Sequence, residues 1–193
     1  IFQWTEVMNI DESEDPIVIE VYAKQFAWQA RYAGADNTLG LGNVNFIDET
    51  NNPIGVDMTD AASLDDKPVS ELHLPKGKKV LFKFRSQDVL HSAYMPHFRA
   101  QMNCVPGMVT QFGFTPKYTT EEMRQQSEVM DKTRGINKIR SEKGEDLYEF
   151  DYVLLCNKIC GASHYSMQMK IIVEEEEAYK KWLAEQSTYA ENL

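Results

Sequence analysis

Apolar and polar residues alternate along several short segments of the chain, which is the pattern of a β-strand with one buried face. The alternation is clear over residues 71–75, 80–85 and 110–115. Residues 16–32 are rich in β-branched and aromatic side chains, which favours one or two strands there. Because Lys76-Gly77-Lys78 separates the first two alternating segments, we predict that they form a β-hairpin.

Glycine, proline and asparagine mark the places where the chain turns. These residues are dense over residues 33–66, which predicts a long loop with at most short strands. Prolines interrupt the apolar positions of residues 89–116 and favour strands joined by tight turns. Two more strands are predicted over residues 148–155 and 167–173, one on each side of a short loop.

Helical patterns occur inside the chain and at its C-terminus. Thr119 is followed by acidic residues that suit the first turn of a helix, and we predict a helical insertion over residues 117–147. Residues 174–193 predict a terminal helix with Trp182 on its apolar stripe. Many short strands with one insertion predict an all-β fold over residues 16–173, a Greek-key β-sandwich or barrel.

Composition limits the partners that this chain can have. With 20 basic and 30 acidic residues among 193, its net charge is −10. Phosphate binding needs a basic face, so we expect no nucleic acid partner. The acidity could steer a basic protein towards the surface or could only keep the chain soluble. Residues 1–15 are polar and acidic after a short apolar start, which predicts a leader or linker.

The segment between the last two predicted strands carries the chemistry. Cys156 and Cys160 lie four residues apart, and His164 and Met167 follow them closely. Thiolate and thioether sulfurs together with imidazole favour copper. His91, from a distant part of the chain, would supply a second imidazole.

The second cysteine distinguishes this group of candidate ligands from a site that binds a single copper ion. A single copper in a cupredoxin domain uses one cysteine, two histidines and a weak methionine. Two thiolates can instead bridge two copper ions, each completed by one histidine and one weak ligand. An electron shared over two metals and two sulfurs changes bond lengths little, which favours fast transfer. We expect His91 at the end of a strand over residues 81–90.

Other interpretations of these residues remain open. A bare pair of cysteines is often two buried side chains, and a lone histidine or methionine is more often structural than a ligand. A copper chaperone or thiol–disulfide protein could also use Cys156 and Cys160, usually on a thioredoxin-like fold. Cys104 has no neighbouring candidate ligand in the sequence and is expected in the core. His73 and His97 are expected to be structural or surface residues.

Several separated motifs resemble the copper A (CuA) domain of cytochrome c oxidase subunit II, in the haem-copper oxidase family. The matching segments are Asp88-Val89-Leu90-His91-Ser92, Pro96, Val105-Pro106-Gly107, Cys156 to Met167, and the aromatic stretch Lys24-Gln25-Phe26-Ala27-Trp28. The resemblance covers residues 16–116 and 146–173. It implies a cupredoxin-like fold and a binuclear copper centre.

The resemblance also implies which residues bind the metal. The implied ligands form three pairs: the bridging thiolates Cys156 and Cys160, His91 with Met167 on one copper, and His164 with the backbone carbonyl of Lys158 on the other. The family usually has an acidic residue at position 158 that helps to hold a magnesium ion. A protonated lysine cannot ligate that ion, so Lys158 argues against magnesium here.

The implied function is electron transfer, and the domain itself would contain no catalytic residue. Cytochrome c would donate single electrons, and haem in subunit I would accept them for the reduction of oxygen to water coupled to proton pumping. Phe26 aligns with the tryptophan at which electrons enter in the family. Trp28 follows two residues later, and strand alternation would place both rings on one face.

The resemblance further implies an attachment to a membrane. The family carries one or two membrane helices before this domain, so we expect an anchor upstream of residue 1. The domain would lie on the periplasmic face of a bacterial inner membrane, with the mitochondrial intermembrane space as the less favoured location. A nitrous oxide reductase has a similar copper loop, but its additional propeller would not fit into 193 residues.

Overall fold

The computed structural model describes residues 15–192, and these residues form two five-stranded β-sheets. The strands are β1 Ile17–Lys24, β2 Ala27–Tyr32, β3 Lys67–Val69, β4 Leu72–Pro75, β5 Val80–Ser86, β6 His91–Met95, β7 Ala100–Cys104, β8 Thr110–Phe114, β9 Tyr152–Cys156 and β10 Gln168–Glu174. The α-helices are α1 Thr120–Arg124, α2 Ser127–Lys143 and α3 Glu176–Glu185. The predicted leader lies outside the described residues except for Asp15. Within residues 15–192, no helix has the length and apolar character to cross a bilayer.

The two sheets confirm the predicted all-β sandwich. The first sheet has the strand order β3-β2-β1-β5-β8, and the second has the order β4-β10-β9-β6-β7. The pairs β1–β5 and β4–β10 are parallel, and the other pairs are antiparallel. Consecutive strands repeatedly change sheet, for example from β5 to β6 and from β7 to β8. Such crossings are typical of Greek-key sandwiches.

The β-hairpin predicted over residues 71–85 is wrong. Strand β4 pairs with β10 in the second sheet, while β5 pairs with β1 and β8 in the first. The turn between them bridges the sheets, because Lys76 N donates to Glu174 O at 2.9 Å and Gly77 N donates to Pro116 O at 2.8 Å. Alternation shows which face of a strand is buried but does not identify its partner strand.

The hydrophobic core combines side chains from both sheets. Its fully buried members include Ile19, Val21, Phe82 and Phe84 from the first sheet and Leu72, Leu74, Leu154 and Ile171 from the second. The same apolar cluster contains Cys156, Cys160 and Met167. Three of the six predicted metal ligands are therefore part of the packed core.

Helices α1 and α2 lie within the predicted insertion, residues 117–147. Thr119 caps α1 as predicted: Glu122 N donates to Thr119 Oγ1 at 3.1 Å, and Thr119 N donates to Glu122 Oε2 at 2.9 Å. Helix α2 is fixed to the segment before β9 by Asn137, whose side chain bonds both backbone groups of Tyr148 at 3.0 and 2.6 Å. These bonds keep Tyr148 out of the sheet, so β9 begins at Tyr152, later than predicted.

The terminal helix is shorter than predicted because the backbone after it bonds to a loop. Tyr189 N donates to Asp66 O at 3.0 Å, and Ala190 N donates to Leu64 O at 2.9 Å. Within α3, Trp182 stacks on His73 with ring centroids 3.9 Å apart. His73 is thus a buried packing residue, in agreement with its predicted structural role.

Candidate metal centre

Strand pairing in the second sheet brings the two distant candidate segments together. Strand β6 begins at His91, β9 ends at Cys156, and Ala93 lies opposite Cys156 in the antiparallel register. The pairing continues past the strand end, since Asn157 N donates to Ser92 O at 2.9 Å. His91 is therefore placed beside the loop that follows Cys156.

The strand predicted over residues 81–90 is confirmed as far as Ser86 and is wrong beyond it, because His91 opens the next strand instead of ending this one. Strand β5 stops at Ser86, whose hydroxyl donates to Val89 O at 2.5 Å. This bond closes a turn that carries the chain from the first sheet to the second. The histidine is fully buried at the start of β6.

The two cysteine sulfurs form the centre of the site. Cys156 Sγ and Cys160 Sγ are 3.9 Å apart, and both side chains are free thiols. Their residues are 9% and 6% exposed. Because the sulfurs are adjacent without being bonded to each other, both can face the same metal ions.

Each sulfur has an imidazole nitrogen beside it. His91 Nδ1 is 3.7 Å from Cys156 Sγ, and His164 Nδ1 is 3.5 Å from Cys160 Sγ. Ligand atoms of His91, Cys156 and Cys160 lie within 4.8 Å of one another. His164 lies in a one-turn 3₁₀-helix, His164–Ser166, inside the loop between β9 and β10.

Two weaker donors complete the cluster. Met167 Sδ is 3.9 Å from Cys160 Sγ, and the carbonyl oxygen of Lys158 is 3.2 Å from Cys156 Sγ. The Met167 side chain is buried, whereas Lys158 is exposed. The structure thus brings together all six residues that the resemblance implied as ligands.

The donor atoms suit copper better than a hard cation. Two thiols, two imidazoles and a thioether are soft or borderline ligands, which select copper or zinc over magnesium or calcium. Burial, followed by the charge of Cys156, raises the pKa of Cys160 to about 11. A metal that binds this sulfur would displace its proton.

An acidic residue that the sequence analysis left without a role contacts His91. Asp88 Oδ1 lies 2.9 Å from His91 Nε2 and accepts a bond from Val89 N at 2.7 Å. Burial opposes the charge on Asp88, but hydrogen bonds lower its pKa below the usual value. The short spacing from Asp88 to His91 is the sequence signal that could have identified this partner.

The two aromatic residues predicted at the point of electron entry lie in different environments. Trp28 is buried in β2, its ring centroid is 6.3 Å from that of His91, and its Nε1 donates to Met167 O at 3.4 Å. Phe26 lies in the turn before β2 and is half-buried. The argument from strand alternation therefore fails for Phe26, although both rings are close to the site.

The remaining candidate residues are part of the fold. Cys104 is fully buried opposite His91 in the β6–β7 pair, and burial raises its pKa to about 12. This confirms its predicted place in the core. His97 is exposed, and its ring packs edge-on against Phe150 with centroids 4.8 Å apart.

Exposed apolar side chains surround this end of the sandwich. They belong to the loops β5–β6, β7–β8 and β9–β10, and we call them the apolar rim: Val89, Leu90, Met108, Val109, Ile159 and Tyr165. Ile159 and Tyr165 are 86% and 87% exposed, although both lie between candidate ligands. Exposed apolar patches commonly mark interaction surfaces. The sequence analysis missed this rim, because its members are far apart in the chain.

Comparisons with known sequences point to one family. The family described as "Cytochrome C oxidase subunit II, periplasmic domain" matches residues 17–139. The alternative cytochrome c oxidase subunit 2 of Bradyrhizobium diazoefficiens is 37% identical over 178 residues, which cover 91% of this chain and 53% of that protein. Cytochrome c oxidase subunit 2 of Alkalihalophilus pseudofirmus is 24% identical over 190 residues, covering 95% of this chain and 38% of that protein. The chain spans about half or less of the length of these curated relatives.

A solved structure has the same fold. The periplasmic domain of subunit II of cytochrome oxidase from Bradyrhizobium japonicum superimposes with a TM-score of 0.50 at 17% identity. The superposition covers 87% of this chain and 91% of that one. At this level of identity the likeness shows the cupredoxin-like fold alone.

Proposed function

This chain belongs to the cytochrome c oxidase subunit II family, and on that ground we propose that it is the copper-binding, electron-transfer domain of such an oxidase. The observation that carries the proposal is the pair of free thiols of Cys156 and Cys160, 3.9 Å apart, with one imidazole beside each sulfur. When bound, a binuclear copper centre would accept and release one electron at a time.

The chain would hold two copper ions through six residues. The proposed roles are bridging by Cys156 and Cys160, completion of one ion by His91 and Met167, and completion of the other by His164 and the backbone carbonyl of Lys158. The distances among these donors support the assignment. A magnesium ion at Lys158 is not part of the proposal, because a protonated amine offers no lone pair.

The fold would keep these ligands fixed during electron transfer. His91 and Cys156 are anchored by adjacent strands, and Met167 directly precedes β10. His91, Cys160 and Met167 are at most 6% exposed, so their packing excludes water from that side of the site. Ligands held in one arrangement by packing and hydrogen bonds need little rearrangement when the charge of the site changes.

The proposed partners are a cytochrome c, or a cytochrome c domain, as the electron donor and subunit I as the acceptor. In the assembled oxidase, haem in subunit I would use the electrons to reduce oxygen to water, coupled to proton pumping. The apolar rim provides contact area for the donor, while the net charge of −10 would speed the approach of a basic protein.

We assign the domain to the periplasmic face of a bacterial inner membrane. The family that matches residues 17–139 is described as a periplasmic domain. Attachment would come from an anchor outside the described residues. The mitochondrial intermembrane space is the less favoured location.

The alternative of a copper chaperone or thiol-redox protein is not favoured. That alternative needs only Cys156 and Cys160 and usually has a thioredoxin-like fold. Here both cysteines lie in a β-sandwich, and His91, His164 and Met167 converge on their sulfurs. A donor set this complete suits a site that retains its metal.

Copper stoichiometry and electron paramagnetic resonance test the proposal. We expect the full chain to bind two coppers and to show a mixed-valence signal in which one unpaired electron is shared by both ions. One copper per chain, readily transferred to a recipient protein, would support the chaperone instead. A matched control is Cys104→Ala, which removes a buried thiol outside the donor set and should leave the stoichiometry at two.

A further inference from the structure

One residue in the β1–β2 turn contacts both loops that carry the candidate ligands. The backbone N of Gln25 donates to Asp88 Oδ2 at 2.7 Å. Its side-chain Nε2 donates to the carbonyl oxygen of Cys160. Gln25 therefore connects the loop before His91 with the loop that contains the second cysteine.

Asp88, which accepts the hydrogen bond from Gln25, also contacts the candidate ligand His91. The two oxygens of this carboxylate have separate partners, because Oδ2 accepts from Gln25 N while Oδ1 faces His91 Nε2 at 2.9 Å. A shift of the turn would therefore move the carboxylate that orients the imidazole. Such outer contacts commonly determine how a ligand is presented to its metal.

Close packing holds the turn against the cysteine loop independently of the hydrogen bonds. A Cβ atom on Gly161 would lie 2.7 Å from Cε1 of Phe26 and 2.9 Å from Nε2 of Gln25. Only a glycine allows the turn to approach so closely. Gly161 directly follows Cys160, so this contact lies next to the thiol in the chain.

We propose that Gln25 is a positioning residue for the copper centre, one that fixes the distance between the His91 loop and the Cys160 loop. The side-chain amide holds the Cys160 carbonyl and thereby the direction of the neighbouring thiolate, while the backbone amide holds Asp88. The inference rests on the proposed function for its metal but not for the contacts themselves. Gln25 touches no candidate ligand atom and acts only through Cys160 and Asp88.

The substitution Gln25→Glu tests this role with little change in size. A carboxylate cannot donate to the Cys160 carbonyl, and the two oxygens repel each other. The control is Gln111→Glu, which adds the same charge on an exposed residue of β8. Gln25→Ala removes the amide without adding charge and separates lost donation from repulsion.

Two measurements on the full chain give distinct results. In the copper-loaded protein, both Gln25 variants should bind copper about 10–100-fold more weakly and show a shifted reduction potential and an altered spectrum. Gln111→Glu should match the parent. If Gln25 had only a structural role, both Gln25 variants would unfold at a lower temperature, with and without copper. Their copper-loaded forms would then keep the spectrum of the parent.

The second measurement needs no copper. The rate at which iodoacetamide alkylates Cys160 in the metal-free chain should rise several-fold in both Gln25 variants and stay constant in Gln111→Glu. Alkylation rates equal to the parent in folded Gln25 variants would overturn the positioning role. If the parent chain bound no copper pair, the proposed function would fail, while alkylation would still decide whether Gln25 holds the loop.

Discussion

His91 Nε2 lies 2.9 Å from Asp88 Oδ1, and the opposite ring nitrogen faces the sulfur of Cys156. The carboxylate favours a proton on Nε2, which leaves the Nδ1 lone pair directed at the candidate metal site. The buried imidazole is thus preorganised to bind a metal through Nδ1. The short spacing between Asp88 and His91 therefore allows the carboxylate to orient the candidate ligand.

Replacing Asp88 by asparagine should weaken copper binding. The amide cannot stabilise the Nε2 proton as a carboxylate does, so we expect a loss of about 10–100-fold in affinity. Competition with a chelator of known affinity measures the change. Asp131→Asn removes the same charge on the exposed side of α2 and should have no effect. Equal affinities for the parent and Asp88→Asn would refute the orienting role.

Cys160→Ser should abolish the paired centre while leaving the fold intact. A hydroxyl is a hard donor that keeps its proton, so the two ions would lose a bridge. We expect fewer than two coppers per chain and loss of the mixed-valence signal by electron paramagnetic resonance. An unchanged binuclear spectrum in this variant would show that Cys160 is not a bridging ligand.

Gly161→Ala should destabilise the chain by about 1–3 kcal/mol, because its φ of +147° and its contact with the Phe26 ring both exclude a side chain. Chemical denaturation of the metal-free chain measures this change. Gly135→Ala is a matched control inside α2, where an added Cβ meets nothing within 4 Å. That variant should gain about 0.5–1 kcal/mol from its lower backbone entropy in the unfolded state. Similar effects of both changes would argue against the close contact at Gly161.

Many of the strands and a cluster of candidate donors could be predicted from the sequence, each for a physical reason. Burial of one face produces alternation, which located the strands β4, β5 and β8. Ligand chemistry limits which side chains can hold a soft metal, and Cys156, Cys160 and His164 lie close together in the chain. Only His91 required a long-range assumption, and the pairing of β6 with β9 explains it.

The sequence could not predict which strand or loop each segment contacts in the folded chain. The turn at Lys76-Gly77-Lys78 suggested a hairpin, yet its backbone amides bond to Glu174 at the end of β10 and to Pro116, two residues after β8. Phe26 was assigned to a strand because local composition does not show where a turn ends. The apolar rim could not be predicted either, because its loops are distant in sequence and come together only after the strands have paired.

A buried carboxyl predicts that the stability of the chain depends on pH. Burial raises the pKa of Asp66 to about 7 in spite of the Arg31 guanidinium 2.7 Å away, and its Oδ1 has no hydrogen-bond partner among residues 15–192. The unfolded chain has an ordinary carboxyl pKa of about 4. Between these values the folded state binds more protons, so the free energy of unfolding should fall as the pH rises from about 4 to 7.

The variant Asp66→Asn isolates this contribution. Because asparagine does not titrate, the fall in unfolding free energy between pH 4 and 7 should become smaller than in the parent. Asp146→Asn alters an exposed carboxyl and should keep the slope of the parent. Urea denaturation at several pH values gives the comparison. The same slope in Asp66→Asn and the parent would mean that Asp66 is ionised throughout this range.

The apolar rim predicts a substitution that weakens docking of the electron donor without affecting copper binding. Ile159 is 86% exposed and lies between candidate ligands, so its side chain is available to a partner without supporting the fold. Burying such a side chain contributes about 1–2 kcal/mol, so Ile159→Ser should weaken docking of a reduced c-type cytochrome about 5–30-fold. The copper spectrum should stay unchanged, because the exposed side chain of Ile159 is not one of the proposed donors. Stopped-flow reduction at a series of cytochrome concentrations measures the effect, and Ile139→Ser, on exposed α2, is the control. Equal rates for the parent and both variants would place the electron donor on another face of the domain.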